Sequence, residues 1–395
     1  MTAPEEVATR PVRDRPTWLV YLQLSSWAWF LYAFGATQAL LRDEQGTTKS
    51  IASLHGSSFA VGGLIGAIVT APAIRRFGRG VVMRITAVAT AASMLLYTAP
   101  HASPVITMLA AALACLFGTG LLICINAFLL DHQGHAGAAA ITEANAMAAF
   151  ATLLGPLAVG IGVGTIFGWR LGIWTAMIAM IALEVVRGRH VSAFGTREQA
   201  VHESQIGRMP RSIGWSLGLI ACFLSTEFSV TFWGADLLRD RCDFGPAAAA
   251  ASLASICGGM FVGRLVGARV AQMVASEIIL RGSVVVAFTG FVLMWIPTVW
   301  PLVLAGMFVV GLGIGVQWPM GVARAVRASD GLTDRAAAYC SISGSIAIII
   351  APVLLGTLAD RFGVHTAFLV VPAFMVCALA LLLVRPEAVA HPPRS

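Results

Sequence analysis

The chain has 395 residues, 58% hydrophobic and only 11% charged, and its mean hydropathy is +0.82. A water-facing domain carries about a quarter charged residues, so a soluble fold is excluded; its apolar surface would have nowhere to hide. The net charge of +7 does not point to nucleic acid, because every basic residue but Lys49 is an Arg, placed mainly in short segments between apolar runs, without a recognisable nucleic-acid motif.

A spanning helix needs about 20 mainly apolar residues, because each residue rises about 1.5 Å across a hydrocarbon core of about 30 Å. Residues 1–17 form a polar, Arg-containing tail without a signal-peptide core or cleavage site, so the first apolar run is expected to stay as a helix. Spans are expected near 18–41, 51–74, 81–99, 104–130, 141–166 and 170–187. A polar stretch, 188–212, follows and reads as a linker. Six more spans fall near 213–238, 248–272, 282–296, 301–323, 338–360 and 366–384, before a tail at 385–395. The ninth looks short, with Pro297 and Pro301 marking its turn.

With the N-terminus cytoplasmic, the inside segments hold 20 Arg and the outside segments six basic residues. The positive-inside rule therefore favours twelve spans in the plasma membrane with both ends and the linker in the cytoplasm. Six of the seven Cys lie in apolar runs and Cys242 in a loop, with no metal-ligand spacing. They read as packing residues.

The two sets of six also resemble each other. Gly62-Gly63 matches Gly258-Gly259 and Gly155-Pro156 matches Ala351-Pro352, each 196 positions later, and Phe167-Gly168 matches Phe362-Gly363, 195 later. Matches in register suggest a parallel duplication. Twelve spans, a central polar loop and paired halves resemble the major facilitator superfamily from about Trp18 to Val384. The family's loop after the second helix usually reads Gly-x-Leu-Ala-Asp-Arg-x-Gly-Arg-Arg. Here the stretch from Ala71 to Gly80 keeps Arg76, Gly78 and Arg79, while Arg75 stands at the Asp position. The string Gly356 to Gly363 fits the motif better but falls at the opposite end of the bundle, where Asp360 and Arg361 are expected in an outer contact. Gly155, Pro156 and Gly160 partly match the family's antiporter pattern in the fifth helix; generic tight packing is the competing account.

The resemblance implies an all-α membrane fold of two pseudo-symmetric six-helix halves, with helices one, four, seven and ten around a cavity. Charged groups inside spans are costly and so mark function. Glu227, mid-span in the seventh helix, is the first candidate for proton coupling, since burial disfavours its charged form; a structural pairing is the alternative. Asp236 and Glu143 come next. Gln38, Tyr32, Asn126, Trp233, Gln317 and Trp318 are candidates for substrate contact, with Pro319 expected to break the tenth helix. Trp18, Trp27 and Trp215 read as interface anchors or packing. Asp131, Glu143 and Asn145 at the fourth and fifth helix ends form an inner gate or a solvated helix end, and Arg264 snorkels or pairs at the inner gate.

No Walker A loop, nucleophile elbow or HExxH motif is present, so neither an enzyme nor a cofactor is expected. The expected partners are a small solute, protons and lipid, with the chain a monomer. The reading is a proton-coupled secondary transporter, with export of an amphipathic drug-like compound favoured. Uptake of a sugar-like or other neutral metabolite, or a non-transporting receptor, are the rivals.

Overall fold

The structure, a computed structural model, describes residues 11–188, 194, 209–329 and 332–384. Both far tails and most of the linker expected at 188–212 lie outside the described residues. Twelve spans are present, and no strand among the described residues. The first six are Arg15–Gln45, Lys49–Phe77, Arg79–Tyr97, Pro104–Gln133, Gly137–Val163 and Arg170–Arg187. The second six are Ile213–Cys242, Pro246–Val270, Ser276–Trp295, Trp300–Ile314 with Gln317–Arg327, Thr333–Phe362, and Val364–Ala367 with Val370–Val384. Helices suit this chain because the bilayer core offers no water to backbone groups, which must bond within their own segment.

The ends are set by local chemistry. Asp14 caps the first helix, accepting from the Thr17 amide at 3.0 Å, and also bonds His132 at 2.7 Å. Burial disfavours the Asp14 charge, but the bonds from Thr17 and His132 outweigh it and hold the carboxyl below its ordinary range. Proline opens the first, fourth, eighth and tenth helices, where its missing N–H costs nothing. The first helix runs past the expected end and carries Arg42 within it. Cys242 is the last residue of the seventh helix rather than a loop residue.

Both interruptions share one cause. The tenth span departs from regular α-helix at Gly315 and Val316, and the twelfth at Phe368 and Leu369, although Gly315, Val316 and Phe368 keep right-handed helical dihedrals. Gly315 and Phe368 each lie four residues before a proline, Pro319 and Pro372. A proline supplies no N–H to that carbonyl and crowds it. The freed Gly315 carbonyl accepts instead from Arg264 Nε at 3.3 Å. Arg264, expected at an inner gate, thus satisfies the backbone that Pro319 leaves open.

The first six helices pack mainly on one another and so do the second six. The halves meet through helices one, two and five against seven, eight and eleven. Within each half, glycines bring helices into backbone contact. A Cβ on Gly62 would fall 1.9 Å from the Ala112 carbonyl oxygen, and one on Gly259 the same distance from that of Phe308. These contacts join helices two and four, and eight and ten, so the two halves repeat one packing device. The equivalence pairs Gly62 with Gly259, one place from the sequence register that paired it with Gly258.

Ten spans have an apolar window able to cross a bilayer; the first and sixth do not. Their polar residues meet. Gln23 on the first bonds both Glu184 and Arg187 on the sixth, the latter at 2.6 Å, and all three are buried. Phe194 lies over the Arg187 guanidinium at 4.5 Å.

Candidate functional site

Helix seven carries two acidic groups inside its span, and the structure puts them in different settings. Glu227 is buried between the halves. Its Oε1 accepts a hydrogen bond at 2.9 Å from the hydroxyl of Tyr32 on helix one, and that hydroxyl also lies 3.7 Å from Met260 Sδ on helix eight. Around it is a chamber lined by Leu31, Tyr32, Gly35, Pro156, Phe228, Thr231, Phe232, Leu253 and Cys257. Its centre has room for about one water-sized sphere, ≈ 10 Å³. A carboxyl among such neighbours is costly to leave charged, yet Tyr32 offers a donor that suits its ionised form.

Asp236 lies nine residues on, about 13 Å further along the axis at 1.5 Å per residue. It is ion-paired with Arg42 of helix one at 2.6 Å. A second small chamber there is lined by Gln38, Arg42, Ala52, Ser53, Phe232, Trp233 and Asp236. Gln38 donates to the Phe34 carbonyl at 3.1 Å and to Tyr97 at 3.3 Å, and the Trp233 ring N–H donates to the Pro352 carbonyl at 3.2 Å.

Of the residues picked from sequence, Glu227, Tyr32 and Pro156 therefore share one chamber, and Asp236, Gln38 and Trp233 another. Gly155 fits neither; its missing side chain lets helix five approach the Trp29 carbonyl of helix one, where a Cβ would lie 2.6 Å away. Gln317 and Trp318 are outside both chambers. Both lie at the start of the second segment of the tenth span. Gln317 turns to Ser283 of helix nine at 3.5 Å, and Trp318 packs beside Gly344 and the Ile220–Leu224 face of helix seven. Asn126 is half-buried on helix four, and its Oδ1 has no hydrogen-bond partner among the described residues.

The remaining candidates gather at the end of the bundle that carries the termini. Glu143 pairs with Arg13 at 2.9 Å and is partly exposed, so it lies off the central chamber. Asn145 is exposed and donates to the Ile141 carbonyl of its own helix. Gly78 turns helix two into helix three at φ 83°, a backbone that favours glycine. Arg79 beside it is buried and paired with Asp131, while Arg76 is exposed over the Phe77 ring.

Sequence reasoning missed two groups. Arg42 was assigned to a loop, although an Arg and an Asp on neighbouring spans form a natural pair. Phe232 looked like any apolar residue. Of the two readings of Trp27, anchor or packing, the structure shows packing: it is buried, parallel to Phe59 at 6.0 Å, over Gly118. Among the described residues no cluster of His, Cys, Asp and Glu could hold a metal.

The family model described as Major Facilitator Superfamily matches residues 19–297 and 243–395. No curated protein matches the chain. Among solved structures, a mutant of the nucleoside transporter NupG superposes with a TM-score of 0.76 at 12% identity, covering 93% of this chain and 98% of that one. A mutant of the peptide transporter POT in complex with sulfate gives 0.73 at 14% identity, covering 96% and 97%. A bacterial homolog of the human lysosomal transporter Spinster, inward-facing and occupied, gives 0.69 at 16% identity, covering 94% and 96%. At these identities the likeness concerns the fold alone. Twelve helices in two repeated halves, with a buried carboxyl where the halves meet and a family match along nearly the whole chain, make this protein a member of the Major Facilitator Superfamily, a transporter of small molecules.

Proposed function

We propose that the protein is a proton-coupled secondary transporter that exports an amphipathic, drug-like compound, with Glu227 as the coupling carboxyl. The observation that carries the reading is the Tyr32–Glu227 hydrogen bond, at the meeting of the halves, inside a chamber walled by aromatic and aliphatic groups. Protonation neutralises Glu227 and removes the cost of burying its charge. Ionisation makes the Tyr32 bond charge-assisted and so strengthens the hold of helix one on helix seven. The proton thereby biases how the halves sit, which is the linkage that coupling requires.

Solute sites run to hundreds of Å³, so a chamber of ≈ 10 Å³ must widen by rocking of the halves before it takes an organic molecule. Uptake of a hydroxyl-rich metabolite calls for convergent amides, and Gln38, Asn126 and Gln317 do not line the Glu227 chamber. The proposed setting is the plasma membrane, with both termini and the 188–212 linker in the cytoplasm and the chain acting as a monomer.

The test uses purified protein in liposomes, with ethidium as an amphipathic probe and an imposed pH gradient. Glu227→Gln keeps size and hydrogen bonding but exchanges no proton. It should abolish gradient-driven accumulation and leave energy-independent exchange largely intact. Undiminished uphill transport by this variant would move the role to Asp236 or Glu143.

A further inference from the structure

The two chambers on helix seven have one lining residue in common, Phe232. Its ring is buried and lines both the chamber of Glu227 and that of the Arg42–Asp236 pair. The slot that receives it is built from the opposite half by two positions without side chains. A Cβ on Gly56 of helix two would lie 2.6 Å from Phe232 Cε2, and one on Gly35 of helix one 3.3 Å from Cδ1. Phe34 meets the ring edge-on at 5.8 Å and Phe228 at 5.3 Å.

We propose that Phe232 is the gate between two chambers of one permeation path, and that the Arg42–Asp236 chamber is a second polar station on it. Three features fit the ring for this task. It comes from one half and seats in the other, so relative motion of the halves withdraws it. Its socket on the opposite half is backbone at Gly35 and Gly56, with the Phe34 ring beside it, which leaves few side chains to rearrange when the ring departs. The groups on its two sides differ in kind, a lone carboxyl on one and a cation–carboxylate pair on the other, so a solute passing the ring exchanges one set of polar partners for another. That second station suits a solute carrying a charged or strongly hydrogen-bonding group, since both signs of charge are present within 2.6 Å.

Cys257 lines the Glu227 chamber and supplies a native reporter. The experiment keeps it as the only thiol, replacing the other six cysteines by Ala, and applies a membrane-impermeant, positively charged methanethiosulfonate from the face opposite the termini. Modification is read by mass spectrometry. Phe232→Ala should speed labelling of Cys257 at least tenfold over the parent, with Phe232→Leu in between. A separate Ser53→Cys variant should be labelled from that face whichever residue stands at 232. Equal Cys257 rates in the parent, Phe232→Leu and Phe232→Ala, with Ser53→Cys still labelled, would overturn the gate. Failure of Ser53→Cys to label from that face would overturn the second station. Should Phe232→Ala fail to fold, Phe232→Leu and Gly56→Ala, whose added Cβ displaces the ring, carry the same comparison. The assay includes neither a pH gradient nor a transported solute, so its outcome is separate from whether Glu227 couples protons.

Discussion

The two ends of the bundle use ion pairs in opposite ways. At the end carrying the termini, the described pairs stay within a half. Arg79–Asp131 joins the start of helix three to the end of helix four, and Glu277–Arg324 joins helix nine to the second segment of helix ten. These occupy the same place in the repeat with the charges exchanged. At the other end Arg170–Glu44 is again internal to the first half, but a further set of contacts runs between halves. Arg42 meets Asp236 at 2.6 Å and Asp43 meets Arg239 at 2.7 Å. Asp360 on helix eleven accepts from the Lys49 and Ser50 amides at the start of helix two, at 3.1 and 2.8 Å. Nearer the middle, the Ser57 hydroxyl donates to the Ile349 carbonyl at 2.7 Å. One set holds each half together as a body, and the other holds the bodies against each other. A transporter whose halves rock must keep the first set and break the second on every cycle.

The largest effect is expected where a pair is internal and dry. Arg324 donates through one nitrogen to both oxygens of Glu277, at 3.0 and 2.7 Å, and the side chains are only 7% and 10% exposed. Glu277→Ala should cost about 3–5 kcal/mol, because it takes the paired carboxylate away from a buried guanidinium. Thermal unfolding of the detergent-solubilised protein should register this as a marked loss of stability. A small change would mean that the charge-exchanged clasp does not hold the second half together.

Arg42→Ala leaves Asp236 unpaired as well, but the loss should fall on one arrangement of the halves instead of on the fold. At about 3 kcal/mol, the low end for a buried pair, the balance shifts roughly a hundredfold away from the state closed at that end. Spin labels on helices two and eleven near Lys49 and Asp360 should report a longer distance. Exchanging the charges, Arg42→Asp with Asp236→Arg, should bring the short distance back. If Arg42→Ala instead lowers thermal stability with no change in distance, the pair belongs with the internal clasps and the contrast between the ends fails.

The smallest effect concerns Asp360. Losing a helix cap costs about 1 kcal/mol, so Asp360→Ala should move the same distance distribution severalfold in population. The Lys49 and Ser50 amides donate to different oxygens of Asp360, so Asp360→Asn keeps an acceptor for only one of them and should fall between the parent and Asp360→Ala. Parent-like behaviour of Asp360→Ala would show that this cap does not hold the end closed.

The sequence by itself determined the class of this protein. Its apolar windows made helices the one way to satisfy the backbone in lipid, and its twelve spans and duplicated glycines carried the architecture. It also brought out Glu227, because a carboxyl in the middle of a span is conspicuous by its cost, and Asp360, because the string around it stood at the wrong end of the bundle for an inner loop. What faces what was decided by the tertiary structure. Gln317 and Trp318 had the right residue types for a binding site, but their helix turns them to Ser283 of helix nine and to the Ile220–Leu224 face of helix seven, away from both chambers. Arg42 became a latch only when helix one ran past its expected end alongside helix seven. Phe232 has no signature in the chain, since a ring becomes a partition only when two glycines from the other half make room for it. Span and composition are local properties of the chain, fixed by solvation, whereas partnership depends on helix phase and on how closely backbones approach, which are settled only when the helices pack.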